Sequence, residues 1–244
     1  MHTDTFHTLI LIARPAAGKS EIIHHLKNML PNLRRKLFHI DSLVEIDDFP
    51  MLWAWFEEDD LLEQMGQPRL HTTPDGYFKW NYLWHVLIRR ISLEYQKFAA
   101  AGSAERTATV LIEFSRGKEH GGYREAFEHL SKPLLQKAAI LYIDVSFEES
   151  LRKNRRRFNP DRPHSILEHG LSDEKMQRLY AETDWHELTG GAQKGFLSIQ
   201  GIQVPFAVFE NADDVTTPGG EALNQRLNAV LGELWPLYES LQNQ

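Results

Sequence analysis

The chain has 244 residues, with 27 Lys or Arg against 34 Asp or Glu, so its formal net charge is −7. That acidic balance argues against a general phosphate-backbone binder and makes nucleic acid an unlooked-for partner. Cysteine is absent, which removes disulfides, thiolate zinc sites and thiol nucleophiles, while an apolar fraction of 42% fits one large folded domain with room for insertions.

No stretch reaches the ~20 apolar residues of a membrane span. Residues 1–7 lack the charged start and small-residue cleavage site of a leader. The expectation is a mature, water-soluble, cytoplasmic chain with no membrane partner.

In chain order, residues 9–12 are a continuous apolar run, the pattern of a strand buried on both faces. The next eight residues are Ala13-Arg14-Pro15-Ala16-Ala17-Gly18-Lys19-Ser20. They follow the pattern G-x-x-x-x-G-K-[ST] with Ala at the first Gly. Small residues are needed where successive backbone N–H groups curl around an anion, and a helix starting at Lys19 adds its positive end. Ile22, Ile23, Leu26 and Leu30 then fall at helical spacing, with Pro31 as the stop.

Residues 37–40 read as a second strand ended by Asp41. Residues 42–74 are rich in aromatics and acids, among them Trp53, Trp55, Phe56 and Glu57. Residues 78–101 read as a long amphipathic helix with Trp80, Trp84 and Leu87 as a packed stripe. Residues 109–114 are a strand carrying Glu113 near its end, with Arg116 just beyond. Residues 139–145 are a further strand, and 147–157 a basic helix with Arg152, Arg155 and Arg156 on related faces. A polar stretch, 158–170, holds Arg162. Residues 172–188 read as helix, 204–209 as strand running into Asn211 and Asp213, and 221–241 as the closing helix. Strands alternating with helices predict an α/β domain with right-handed parallel crossovers. The 12 histidines show no zinc-ligand spacing, so no zinc site is expected.

Through the loop at 13–20, the strand and acid at 110–113 and the segment 140–157, the chain resembles the P-loop small-molecule kinases of the adenylate-kinase-like group. That group includes nucleotide, nucleoside, gluconate and shikimate kinases. The resemblance implies a three-layer P-loop NTPase fold with a five-stranded parallel sheet in order 2-3-1-4-5. It implies one domain, with a substrate-binding insertion at about 42–100 and a helical lid at about 158–171. ATP and Mg²⁺ come with it. Lys19 would reach the donor phosphates, Ser20 would ligate Mg²⁺, and Arg14, Ala16, Ala17 and Gly18 would line the phosphates. Glu113 would hold Mg²⁺ or take the acceptor's proton, and Arg116 would bind the acceptor. Asp41 would meet the acceptor hydroxyl or the metal. Arg152, Arg155, Arg156 and Arg162 would clamp adenine and phosphates, and Asn211 and Asp213 would meet the adenine edge.

The residues by themselves leave alternatives. Asp41 serves equally as a helix cap, Glu113 as an ion-pair partner of Arg116, Asn211 and Asp213 as turn formers, and the aromatics as packed core. The expected function is transfer of the ATP γ-phosphate to a small-molecule acceptor, a nucleoside or nucleotide among the options. Two other outcomes stay open: a kinase of larger ends, as the zeta-toxin-like and polynucleotide kinases are, and a nucleotide-binding switch without transfer.

Overall fold

The computed structural model describes residues 4–101, 108–157 and 170–242. Its centre is β1 (Thr8–Ala13), flanked by β3 (Thr109–Phe114) on one side and β4 (Ala138–Asp144) on the other, all parallel. The edge strand β2 (Leu43–Asp47) joins β3 in parallel, and β6 (Ile202–Glu210) joins β4. One further strand, β5 (Lys194–Ile199), pairs antiparallel with β6. The sheet therefore has six strands in the order β2-β3-β1-β4-β6-β5, not the expected five in order 2-3-1-4-5. The extra strand is a hairpin arm, turned at Gln200 and Gly201, both with positive φ.

Both sheet faces are buried, which explains the continuous apolar runs of β1, β3 and β4. Alternate residues enter opposite cores: Ile10 and Ile12 one, Leu9 and Leu11 the other. The first core is covered by α4 (Tyr82–Ala100), α5 (Gly122–Glu128), α6 (Lys132–Leu135) and α9 (Trp185–Thr189). The second is covered by α1 (Lys19–Asn28), α2 (Pro31–Phe38) and α10 (Gly220–Gln242). The result is three layers. No helix among the described residues is long and apolar enough to cross a membrane.

Three expectations are corrected. Residues 37–40 are not a strand. The first helix, α1, does end before Pro31, at Asn28, but Pro31, with its fixed φ suited to a first helical turn, opens a second one, α2. His39, at φ 55°, ends it. The second strand comes later, at β2, where Val44 and Ile46 alternate with Glu45 and Asp47. The helix expected at 172–188 is two, α8 (Asp173–Tyr180) and α9. They break where Asp184 turns in to accept the N–H groups of Tyr123 and Arg124 at 2.7 and 3.0 Å. Trp80 precedes α4 and lies half exposed, stacked on Tyr82, so only Trp84 and Leu87 of the expected stripe are buried.

Residues 49–100 fold as α3 (Phe49–Gln64), a connecting loop and α4. The loop is organised by Asp59, whose fully buried carboxylate accepts the N–H groups of Leu70, His71 and Thr72 and the Thr72 hydroxyl, at 2.5–2.9 Å. Burial alone would raise this acid, but the Thr72 hydroxyl and the three N–H bonds outweigh it and hold the pKa at about 2. The last helix before 158–169 is α7 (Phe147–Arg157). Asn154 donates to the Leu171 carbonyl at 2.7 Å and accepts from its N–H at 3.1 Å, so both ends of that stretch are tied together. Arg162 lies outside the described residues.

Candidate phosphate-transfer site

At the carboxyl edge of a parallel sheet, neighbouring crossovers that leave β1 in opposite directions open a crevice. Here that crevice holds the loop between β1 and α1. Ala16 (φ 55°) and Gly18 (φ 115°) both adopt left-handed backbone, which curls the loop. A Cβ on Gly18 would stand 2.6 Å from Thr216 Oγ1 and 2.9 Å from Asn211 Nδ2, so only glycine fits. The helix begins at Lys19, and its first-turn N–H groups have no intrahelical partners.

The loop is braced from behind. Arg14 donates to the carbonyls of Val145, Tyr180 and Ala181 at 2.9, 3.2 and 3.3 Å. Ser150 donates to the Pro15 carbonyl at 2.7 Å. Asn211, fully buried, donates to the Ala17 carbonyl at 2.9 Å and to Thr216 at 2.8 Å. Arg14 thus ties the loop to carbonyls after β4 and at the end of α8, and Asn211 spends its amide on the loop's own Ala17 carbonyl and on Thr216.

Lys19 crosses in front of the loop. Its Nζ lies 2.8 Å from Ser115 Oγ, 3.4 Å from the Arg14 carbonyl and 3.7 Å from Glu113 Oε1. The two charged side chains are only 6% and 12% exposed. Glu113 sits opposite Asp47 in the β2–β3 register. Carboxylate oxygens of Glu45, Asp47 and Glu113 all lie within 4.8 Å of one another. Burial, with Glu113 and Asp48 adding repulsion, pushes Asp47 up to about 8, against the opposing Phe49 N–H and Lys19. Glu113 is raised as well, by burial first and by Glu45 and Asp48, while Lys19 pulls the other way. Lys19 and Lys27 each pair with one of these acids, Glu113 and Glu45, and the carboxylates are hard oxygens of the kind Mg²⁺ takes.

Arg116 is almost fully buried. It pairs with Asp48 Oδ2 at 2.7 Å, donates to the carbonyls of Ser115 and Trp84, and lies over the rings of Trp84 and Phe114. From the loop and these acids a cleft of about 840 Å³ runs on, lined also by Trp53, Phe56, Phe78, Tyr180 and Tyr77, whose ring Arg178 covers. That size suits a small-molecule site.

Of the residues expected from sequence, the structure brings Ala16, Gly18, Lys19, Ser20, Glu113 and Arg116 to this cleft. Asp41 is not there. It precedes β2, at the opposite end of the strand, and is ion-paired with Arg35. From β2 and the residue after it the cleft receives Glu45, Asp47 and Asp48 instead. The arginines of α7 also fall differently. Arg152 pairs with Glu149 at 2.7 Å and Arg155 with Asp173 at 2.5 Å; Arg156 is exposed. The cleft instead receives Asn154 and Arg157. Asp213 pairs with Arg226 on the surface, so neither it nor Asn211 lines the cleft. Asp47 and Asp48 carried a readable signal: an alternating edge-strand pattern that ends in two adjacent acids.

No protein-family profile matches the chain, and no curated protein matches it by sequence. Among solved structures, a gluconokinase from Sinorhizobium meliloti 1021 is similar at 13% identity and a TM-score of 0.48, over 96% of this chain and 97% of that one. A structure titled APE1195 is similar at 13% identity and a TM-score of 0.39, over 93% and 98%. At these values neither likeness carries the functional reading, which rests on the residues above.

Proposed function

We propose that the chain is an ATP- and Mg²⁺-dependent phosphotransferase acting on a small-molecule acceptor. One observation carries this reading. A left-handed loop places a buried lysine 3.7 Å from a largely covered acid, at the head of a cleft that continues past the loop. A binding module needs the loop; the acids and the further cleft provide for a second reactant.

In this reading the N–H groups of residues 16–20 receive the donor phosphates, and Lys19 leaves Glu113 to meet them. Ser20 Oγ with Glu113 and Asp47 would hold Mg²⁺, which when bound offsets the phosphate charge. Asp48, fixed by Arg116, orients the acceptor hydroxyl. That oxygen forms its bond to the γ-phosphorus as the bridging bond to the β-phosphate breaks, and its proton passes to the Asp48 carboxylate. Arg157 meets the negative charge of the transferring group.

The test is ATP consumption with Mg²⁺ across nucleosides, nucleoside monophosphates and small sugars, with Lys19→Ala as control. Acceptor-dependent turnover that vanishes in the control supports the reading. Turnover unchanged by Lys19→Ala removes the loop from the reaction.

A further inference from the structure

At the deep end of the cleft, side chains lie against one another with polar atoms left over. His120 is 1% exposed and lines the cleft. Its Nδ1 accepts the Gly117 N–H at 3.3 Å, which assigns the remaining ring proton to Nε2. Nε2 itself is buried without a hydrogen-bond partner among the described residues. The same holds for Arg116 Nε, while Asp48 Oδ2 has the Arg116 ion pair but no aligned hydrogen bond. All three residues line the cleft. Buried polar atoms in folded proteins are nearly always satisfied, so two open donors beside an ion-paired carboxylate, on residues that line the cleft, point to where a ligand's polar atoms belong.

The three atoms define a pattern: two N–H donors, from His120 and Arg116, and one carboxylate acceptor, from Asp48. A hydroxyl both gives and takes a hydrogen bond, so adjacent hydroxyls complete this set. Stacking on a base does not fit as well here. Trp84 is already covered by the His120 ring at 3.9 Å and the Arg116 guanidinium at 5.1 Å, with the edge of Phe78 at 4.7 Å. It is no open platform for a nucleobase. Burial, with the charges of Arg116 and His85 alongside, holds the His120 pKa down at about 2, so the ring stays neutral and its Nε2–H stays a donor.

We propose that His120 is a specificity-determining residue whose Nε2–H, beside Arg116 and Asp48, reads adjacent oxygens of a polyhydroxylated acceptor. The proposal rests on the phosphotransfer reading for the word acceptor, but the subsite is testable without turnover.

The experiment measures binding of sorbitol, myo-inositol and D-glucose to the full chain, with adenosine and thymidine for comparison. The proteins are wild type, His120→Phe and His120→Asn. Phe keeps the ring on Trp84 and removes both nitrogens; Asn restores a side-chain N–H. At least one polyol is expected to bind wild type, to weaken about tenfold or more in His120→Phe, and to recover in part in His120→Asn. In wild type, the His120 Nε2–H resonance is expected to stay constant between about pH 5 and 9 and to shift when that polyol is added. The proposal is overturned if no polyol binds, if binding is equal in His120→Phe, if a nucleoside displaces the polyol, or if the proton resides on Nδ1. Absence of ATP binding by wild type would instead overturn the phosphotransfer reading while leaving the polyol result standing.

Discussion

Asp47→Asn should change how stability depends on pH. Asp47 moves from an ordinary 3.8 to about 8 in the folded chain, through burial and the nearby Glu113 and Asp48. A carboxyl whose folded value lies above its unfolded value holds its proton more tightly when folded. Its contribution is therefore fully present below about pH 4 and is lost as pH rises through about 8. The span of roughly 4 pH units, at ~1.4 kcal/mol each, sets a ceiling of ~6 kcal/mol. Glu113 shares the same local charge and water can enter the cleft, so a measurable difference of ~2–4 kcal/mol is the better expectation. Histidines work in the opposite direction. His120, depressed to about 2, favours the folded state more as pH rises toward 6.5. The comparison must therefore be wild type against Asp47→Asn, in which the histidine contributions cancel. Urea unfolding with chelator present, at steps from about pH 5 to 8.5, reads the difference. Wild type should lose stability relative to the variant as pH rises, and millimolar Mg²⁺ should flatten that loss. Parallel stability profiles would refute a strained acid pair at the head of the sheet.

Gly18→Ala places a Cβ against Thr216 and Asn211 at positive φ; an unfolding titration should show ~2–4 kcal/mol lost, and ATP affinity should fall with it. Asp41→Asn breaks a surface pair with Arg35 far from the cleft, so ATP turnover should stay within about twofold of wild type and stability within ~1 kcal/mol. Asp59→Asn leaves backbone donors in the 70–72 turn poorly met; calorimetry should show ~2–4 kcal/mol lost, and the acceptor KM should rise more than the ATP KM because that turn supports the cleft wall at Tyr77 and Phe78.

The phosphate loop was legible because its chemistry is local: a buried strand, small residues, then a helix opening on Lys19. β1, β3, β4 and α7 were legible for related reasons, since runs buried on both faces and an unbroken basic helix are decided by their own composition. β2 was not. Leu37 and Phe38 look like strand residues, but Phe38 meets the core from the end of α2, and helix or strand in so short a run is settled by packing. Misplacing β2 also misplaced the acid, because Asp41 and Asp47 differ only in which end of the strand they occupy. β5 was hidden by its exposed face: Gly195 and Ser198 interrupt the apolar pattern. On α7 the arginines at 152 and 155 looked like a clamp by spacing, yet local acids claim them, and the one that reaches the cleft is Arg157. Partners distant in sequence, such as Asp184 for α5 or Asn211 for the loop, leave no trace in a single sequence.

The most direct measurement is the affinity of wild type and Lys19→Ala for ATP, with and without Mg²⁺, by titration calorimetry. Wild type should bind ATP more tightly with Mg²⁺ than without it, and Lys19→Ala should lose at least about tenfold in affinity while keeping its fold. ATP binding that is absent from wild type, or equal in the two proteins, would contradict a nucleotide site at this loop.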